Sequence, residues 1–389
     1  MIKHKKLIRF ALPVALFLAQ GLQVASALPA FARSEGVSCS TCHNAWPQLN
    51  DKGRKYKENG YRFSEVGADG EEGKSFADYF EDGLPFGAVV TARPFDKKKS
   101  GDTNNRALHE VELFAAGSFN KNWSGVFELE AEDETDFSVE VPWARLSYNY
   151  SPALNVHMAK SSYFDADGYG LLEDKLRMTR GHVKVLDSAF GGADGGGKLR
   201  SGRQLFGLSG RPAEKLFYNV SWSGLAGSSE GKDAKNFVGQ LAYDVTDDIN
   251  ISAFSIKGNN GTTNQDFSRN GVSFKADIGD TRLHGAYVQG KDDTLSGGVL
   301  TGAEETNNAF SLQAMHVFKK GKSPNWVPVV RYDKYEKNDG VDDFTELTLN
   351  LTHYFKQNIK GYVEYWKQLD TPAGVIEDDR VTAQLSVGF

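Results

Sequence analysis

The stretch WSGVFELEAE, residues 123–132, decides the fold that this sequence predicts. Its odd positions are apolar, and its even positions are mostly polar or acidic. Because successive side chains of a β-strand point to opposite faces, this alternation indicates a strand with one apolar and one polar face. The odd positions are Trp123, Gly125, Phe127, Leu129 and Ala131, and the even positions are Ser124, Val126, Glu128, Glu130 and Glu132.

The same period of two continues from residue 87 to the C-terminus, with further clear examples at 237–245, 272–278, 347–351 and 381–389. Short turns alternate with longer loops rich in Gly, Asp and Asn, which we place at 164–175, 187–200, 259–268 and 291–306. This arrangement is typical of outer-membrane barrels, whose strand number is even. We therefore predict a mostly β fold, a transmembrane antiparallel β-barrel of about sixteen strands, with about fourteen as the fallback.

A soluble antiparallel sandwich also alternates in this way and is the competing interpretation. The absence of a cysteine pair from the strand region, the aromatic residues near strand ends and the terminal Phe389 favour the barrel. Apart from residues 10–24, no stretch approaches the roughly 18 apolar residues of a spanning helix. A membrane-spanning chain of this kind must therefore cross as a barrel.

Residues 1–27 are predicted to be a secretory signal peptide. Four basic residues precede an apolar run, and Ala25-Ser26-Ala27 offers a cleavage site. A permanent membrane anchor is the alternative, but the apolar run is short for one. Removal of this segment changes the formal net charge from −6 to −10. Such a charge argues against a nucleic-acid partner and favours cationic ones, while the barrel itself implies contact with outer-membrane lipid.

The second informative motif is CSTCH at residues 39–43, the attachment pentapeptide of c-type haem. Cys39 and Cys42 would form thioethers with one haem c, and His43 would bind its iron as the proximal ligand. A redox disulfide between the two cysteines is the alternative interpretation. We assign residues 28–86 to a small α-helical monohaem cytochrome domain and 87–389 to the barrel.

Within that small domain a short helix is expected at residues 44–57, with Pro47 in its first turn. Leu49, Gly53 and Tyr56 would share the face that packs on the haem. These roughly 58 residues are too few for an ordinary independent core, so haem and barrel contacts would have to stabilise them.

The second axial ligand of the iron stays open at this point, because residues 44–86 contain neither Met nor His. A barrel residue, an unusual donor such as Lys or Asn, or water could occupy the position. Alternation along 310–318 turns Met315 inward, which makes it the candidate from the barrel, whereas Met158 would face lipid. His157 is predicted to face the lumen, as a haem or iron contact or simply a polar lumen residue. No role is predicted for the remaining barrel histidines, His109, His284, His316 and His353.

Acidic residues form a second inward-facing group. Carboxylates at these positions would make a cation-attracting lumen, although porin interiors are generally polar. The residues are Glu110, Glu112, Glu128, Glu130 and Glu132. The segment Asp165-Ala166-Asp167-Gly168 begins like a calcium loop but lacks the rest of that pattern, and we expect an acidic surface loop there. No catalytic acid, base or nucleophile is assigned.

The N-terminal region resembles the fused cytochrome–porins, the monohaem outer-membrane proteins implicated in oxidation of extracellular ferrous iron. The matching residues are Pro29-Ala30-Phe31-Ala32-Arg33, Gly36, the CSTCH motif, Pro47, Leu49-Asn50, Gly53-Arg54, Tyr56-Lys57 and Gly60-Tyr61. The resemblance implies haem in or under the lumen, Fe(II) as electron donor, and a periplasmic cytochrome or other soluble carrier as acceptor. Two alternatives remain: a conduit for another extracellular donor or acceptor, and a nutrient porin with a haem-containing plug.

Overall fold

The computed structural model describes residues 31–32, 35–63, 86–118, 121–166, 170–172, 174–227, 231 and 235–389. The predicted signal peptide, residues 1–27, lies outside them. The described N-terminal segment, residues 31–32 and 35–63, holds a 3₁₀ turn at Cys39–Thr41, strands β1 (His43–Ala45) and β2 (Gln48–Leu49), and helix α1 (Asp51–Glu58).

From Phe86 the chain forms a closed antiparallel barrel. Its strands are β3 (Phe86–Lys98), β4 (Thr103–Ser118), β5 (Trp123–Glu132), β6 (Glu140–Ser151), β7 (Leu154–Ser161), β8 (Arg203–Ala213), β9 (Leu216–Ser223), β10 (Asn236–Asp244), β11 (Ile249–Asn259), β12 (Asp266–Ile278), β13 (Thr281–Ser296), β14 (Val299–His316), β15 (Phe318–Lys320), β16 (Ser323–Lys337), β17 (Asp342–Lys356), β18 (Ile359–Asp370) and β19 (Asp379–Gly388). Short β15 continues β14 beside β16, so the described residues supply sixteen strand positions. The predicted mostly β, sixteen-strand barrel is confirmed.

The barrel closes where its last strand meets its first. β19 pairs with β3 over a ladder that includes Val387 opposite Val90. Phe389 then exchanges two backbone hydrogen bonds with Ala88, at 2.7 and 2.9 Å. Closure pairs both edges, which removes the open strand edge that hydrocarbon would not tolerate.

The strands present apolar residues outward and polar residues inward. Leu241 is 58% exposed on the outside of β10, whereas Asn250 and Thr352 are buried inside. Inward-facing His157 and Met315 are buried and outward-facing Met158 is exposed, as their alternation predicts. No helix in the described part of the chain is long and apolar enough to cross a membrane.

One loop prediction is wrong. Residues 291–306 form most of the β13–β14 hairpin, because that acidic and Gly-rich stretch continues the strand ladder. The loops predicted at 164–175 and 187–200 are loops in their described parts, but both belong to one long insertion between β7 and β8. We call this insertion, residues 162–202, the luminal loop; its described part contains helix α2 (Lys184–Asp187) and 3₁₀ turns at Gly170–Leu172 and Asp174–Leu176.

The expected acidic surface loop at 165–168 is also wrong in its described part, since Asp165 is buried and lies 3.5 Å from Arg145 Nη1. Asp167 and Gly168 lie outside the described residues.

The helix predicted at 44–57 is shorter than expected. Asn50 caps α1 by accepting a hydrogen bond from Gly53 N at 2.9 Å, so the helix begins only after it. Pro47 stands in the turn of the β1–β2 hairpin and not in a helix. The N-terminal segment is therefore a mixed hairpin–helix unit and not an α-helical domain.

Candidate functional site

The CSTCH motif forms a tight turn followed by a hairpin. Asn50 N donates to Cys42 O at 2.9 Å, and Asn50 Nδ2 donates to Thr41 O at 3.1 Å. Gly53 of α1 lies against the Cys42 carbonyl, where a Cβ atom would collide with it. The start of α1 is thus fixed directly on the backbone of the motif.

His43 is held in the state that a metal ligand needs. Its Nδ1 lies 2.9 Å from Pro47 O, and since a carbonyl only accepts, Nδ1 carries the proton. Nε2 is then the nitrogen with the lone pair, as in metal-binding histidines oriented by a backbone carbonyl. Burial also lowers the pKa of His43 to about 4, so the ring is neutral at ordinary pH.

Cys39 and Cys42 are free thiols, and burial raises the pKa of both. Together with His43 they line a cavity of about 1160 Å³, which we call the haem-side cavity. Leu49, Gly53 and Tyr56 line it too, as predicted for the haem-facing side. Two thiols, an imidazole oriented by a backbone carbonyl and an adjacent cavity are the set that covalent haem requires, so the residues present fit haem c.

An aromatic cluster beside the same cavity packs α1 against the barrel wall. Phe31 stacks on Tyr61 with 5.1 Å between ring centroids, and Tyr56 meets both rings edge-on at 5.8 and 6.2 Å. Ala116 and Val126 of the barrel wall complete the cluster. This contact stabilises a segment that is too small to have a core of its own.

Ion pairs and hydrogen bonds fix the N-terminal segment at the end of the barrel that carries short turns, the periplasmic end by the usual arrangement. Buried Arg54 lies 3.1 Å from Asp244 Oδ2, and Arg211 Nε lies 2.5 Å from Glu58 Oε2. The hydroxyl of Tyr354, on barrel strand β17, donates a hydrogen bond at 2.6 Å to the carbonyl oxygen of Trp46 in the β1–β2 hairpin. The CSTCH motif therefore sits inside the periplasmic part of the lumen.

The luminal loop fills another part of the barrel with apolar side chains. Its core positions pack against inward-facing apolar residues of β10–β14 and β16, among them Ile256 and Val288, both 0% exposed. The loop contributes Tyr163, Phe164, Leu171, Leu172, Val183, Val185, Leu186, Phe190, Ala193 and Leu199. Dry packing of this kind excludes water from that side of the lumen.

On the other side, the haem-side cavity runs from the motif to the end of the barrel that carries the long loops. Lys98, Glu134 and Glu140 line it there, near the ends of β3, β5 and β6. Between the two ends stands a group that we call the acidic wall, Glu110, Glu112 and Glu130. Their carboxylate oxygens lie within 4.8 Å of one another.

Basic residues share the same cavity and balance part of this charge. Lys175 pairs with buried Glu128 at 2.8 Å, and Arg180 pairs with Asp96 at 3.0 Å. Glu132 also lines the cavity, whereas Glu128 is fully buried behind Lys175. The predicted inward orientation of these acids is thus observed, and the structure brings three of them together.

The remaining candidate residues, Met315 and His157, do not lie along the haem-side cavity. Met315 is buried in an apolar cluster with Ala45 and Met178, but it is not among the described residues that line the haem-side cavity. His157 is buried beside Gly207 and is likewise absent from that lining. Met178 does line the cavity, and sequence analysis missed it because the luminal loop has no periodicity that assigns an orientation.

His109, to which no role was assigned, also lines the cavity, near its long-loop end, with Nδ1 2.8 Å from Asp133 Oδ1. An irregular register between β3 and β4 lies just before Glu110. Such bulges re-aim side chains, and alternation alone would not have placed His109 inward next to Glu110.

No protein-family model matches the chain, and no curated protein matches it in sequence. Solved structures do match. The anion-selective porin from Comamonas acidovorans has 15% identity over 78% of this chain and 98% of its own, with a TM-score of 0.56. Salmonella typhi OmpF in complex with daunomycin has 13% identity over 78% and 97%, with a TM-score of 0.58.

The outer-membrane channel DcaP of Acinetobacter baumannii has 12% identity over 78% of this chain and 95% of its own, with a TM-score of 0.51. At such low identities these likenesses establish the fold alone. The chain folds as a β-barrel of the outer-membrane porin type, as its strand pattern predicted.

Proposed function

We propose that this protein is an outer-membrane electron conduit that oxidises extracellular Fe(II) and passes single electrons through one covalent haem c to a periplasmic cytochrome or other soluble carrier. One observation carries the proposal. The haem-side cavity is lined both by Cys39, Cys42 and His43 and by residues at the long-loop end of the barrel. A donor outside the cell would therefore have a path through the lumen to the haem attachment site.

The N-terminal segment would hold the cofactor. Cys39 and Cys42 would form the thioethers, and Nε2 of His43 would bind the iron, oriented by the Pro47 carbonyl. When bound, the haem supplies a one-electron couple, which suits the one-electron change from Fe(II) to Fe(III). No acid or base is required, because each Fe(II) gives up one electron and leaves as Fe(III).

The acidic wall would favour a cationic donor over an anionic one. Three carboxylates within 4.8 Å of one another concentrate negative potential midway along the cavity. Carboxylates also suit hard divalent cations such as Fe(II). The net charge of −10 predicted after removal of the signal peptide would also attract cations, at longer range.

The luminal loop would keep the conduit selective for electrons. Its apolar packing closes the β10–β16 side, and the N-terminal segment occupies the periplasmic part of the lumen. Gln48 donates to Leu176 O, which joins these two inserted parts directly. Solutes would then find little open cross-section, although electrons could still pass.

Visible spectroscopy of the purified protein in detergent tests the proposal. The oxidised protein is mixed anaerobically with Fe(II), with a chelator present to trap ferric product. Growth of the reduced haem bands supports the proposal, provided that they are absent from His43→Ala. A haem that dithionite reduces and Fe(II) leaves oxidised would contradict Fe(II) oxidation and favour a conduit for another extracellular donor or acceptor.

The likeness to porins favours a second candidate, a nutrient porin whose haem segment is a plug. This candidate requires solute conductance through the reconstituted barrel that does not depend on haem. Planar-bilayer recording separates the two, since the conduit interpretation expects no porin-sized conductance steps.

A further inference from the structure

We propose that Met178 supplies the second axial ligand of the haem iron, in addition to His43. The inference rests on the haem attachment proposed above and names a residue that is distant from the motif in sequence. Met178 lines the same cavity as Cys39, Cys42 and His43, and it is only 2% exposed.

The luminal loop holds Met178 against the β1–β2 hairpin that follows the CSTCH motif. Leu176 O accepts a hydrogen bond from Gln48 at the tip of the hairpin, two residues before Met178. Met178 itself packs in a cluster with Ala45 and Trp46, which lie two and three residues after the motif. The loop descends from the opposite end of the barrel, so these contacts fix the thioether beside the cofactor site.

The thioether sulfur keeps its lone pairs. Among the described residues, the polar group paired with it is the Tyr354 hydroxyl, whose oxygen lies 3.8 Å from Sδ and 2.6 Å from Trp46 O. One hydroxyl carries one proton, and the shorter contact to the carbonyl takes it. A buried thioether with free lone pairs in an apolar cluster is a suitable ligand for haem iron, and such ligation raises the reduction potential.

Two competing donors in the cavity already have partners. Lys360 Nζ lies 3.5 Å from Trp46 O and 4.5 Å from the centroid of the Trp46 ring. His109 Nδ1 lies 2.8 Å from Asp133, close to the long-loop end of β4 and therefore far along the strand from the motif.

His182 is the third alternative donor in the cavity lining. It interacts electrostatically with Asp187, which also binds Lys198 and Arg200 at 2.8 and 2.6 Å. Asp187, Lys198 and Arg200 all belong to the luminal loop, so His182 has an electrostatic partner within the loop itself.

Met315 provides a matched control. It is 2% exposed, like Met178, and belongs to the same apolar cluster, but the haem-side cavity is not lined by it. Met178→Leu and Met315→Leu thus remove the same atoms from the same cluster, at a similar packing cost. Only the first changes a residue that lines the cavity.

The experiment uses the full-length haem-loaded protein and both variants, with haem content and heat-modifiable migration as folding controls. Near-infrared magnetic circular dichroism of the ferric state should show the methionine-to-iron charge-transfer band in the wild type and in Met315→Leu. Met178→Leu should lose that band, bind carbon monoxide faster when reduced, and have a lower reduction potential. Met178→His should restore a low-spin ferric spectrum without the band.

Retention of the band in Met178→Leu, or its loss in Met315→Leu, would overturn the assignment. So would a wild-type spectrum of a high-spin iron or of lysine or bis-histidine ligation. The Fe(II) reduction test is independent of all these readouts. A methionine-ligated haem that Fe(II) fails to reduce would refute the proposed donor and leave Met178 in place, and the reverse pattern would refute Met178 alone.

Discussion

The two sides of this barrel's lumen are built on the same strand geometry and have opposite interiors. On β10–β14 and β16 the inward positions that meet the luminal loop are apolar, as Ile256 and Val288 show. On β4 and β5 the inward positions include the acidic wall, Glu110, Glu112 and Glu130. One side is therefore sealed by packing, while the other carries a charged cavity that leads to the CSTCH motif.

This difference shows how a porin-like barrel could carry electrons without passing solutes. A packed loop reduces the open cross-section on one side of the lumen, and the carboxylates on the other side would attract a cation. The two sides can therefore be disturbed separately.

The largest effect should come from changes to the CSTCH motif, to which the charged cavity leads. Cys39→Ser with Cys42→Ser removes both attachment thiols, and covalent haem should be lost completely, as seen by haem staining of the denatured protein. Ser40→Ala is the matched control within the motif, since Ser40 has no thiol to offer. Covalent haem in the double serine variant would contradict the assignment of the motif.

The second largest effect should come from the side that the luminal loop fills, and it should appear as a change in bilayer conductance. Val185→Asp places a carboxylate at a position that is 0% exposed in the apolar core of the luminal loop. A buried charge without a partner costs several kcal/mol, so the loop should release from the wall and the bilayer conductance should rise from near zero to porin-sized steps.

Gly192→Ala is the control for that experiment, because an added Cβ at Gly192 meets no atom within 4 Å. Porin-sized conductance in the wild type would show that the luminal loop does not seal the barrel.

The acidic wall should give a smaller, salt-dependent effect. Replacement of Glu110, Glu112 and Glu130 by Gln removes whatever negative charge the acidic wall carries, and haem reduction by Fe(II) at low ionic strength should slow by roughly tenfold, within the usual range of electrostatic steering. Stopped-flow traces should converge with those of the wild type at high salt.

Glu304→Gln is the control, since Glu304 is exposed on the β13–β14 hairpin outside the cavity. An equal slowing in Glu304→Gln would indicate that overall charge, and not the acidic wall, sets the rate.

The smallest expected effect concerns the anchor at the periplasmic end. Arg54→Ala removes a side chain that is 3% exposed and pairs with Asp244 and Glu58. Arg211 still contacts both acids, so the cost should stay below the ~3 kcal/mol of an uncompensated buried pair. Limited proteolysis should show faster cleavage of the N-terminal segment.

Lys55→Ala is the comparison for the anchor. Lys55 is 44% exposed and pairs with Asp51 at 2.8 Å, a surface pair worth about 0–1 kcal/mol. Equal protease sensitivity of the two variants would mean that the Arg54 network does not hold the segment in place.

The barrel was predictable because alternation is a direct consequence of strand geometry, as residues 123–132 illustrate. The sealed side was not, because alternation does not distinguish an apolar residue facing lipid from one facing a packed loop. Ile256 and Val288 illustrate this. Both pack inside the barrel against the luminal loop, but an apolar residue at either position would also suit the lipid-facing surface.

The CSTCH motif can be recognised from its spacing and its haem assignment stays a prediction, whereas the partners of the motif in the fold could not be predicted. The hairpin at 43–49 replaced an expected helix because Asn50 caps the helix later than the apolar spacing suggested. Met178 lies in a loop without periodicity, so only the fold brings it to the same cavity as His43.

The most direct test of the central claim reconstitutes the full-length protein into sealed liposomes that contain a soluble cytochrome, with Fe(II) and a ferric chelator added outside. The account predicts that the enclosed cytochrome becomes reduced while an enclosed small dye stays inside, and that the His43→Ala protein leaves the cytochrome oxidised. An enclosed cytochrome that stays oxidised although the outside Fe(II) reduces the barrel's own haem, or dye leakage at a porin's rate, would contradict it.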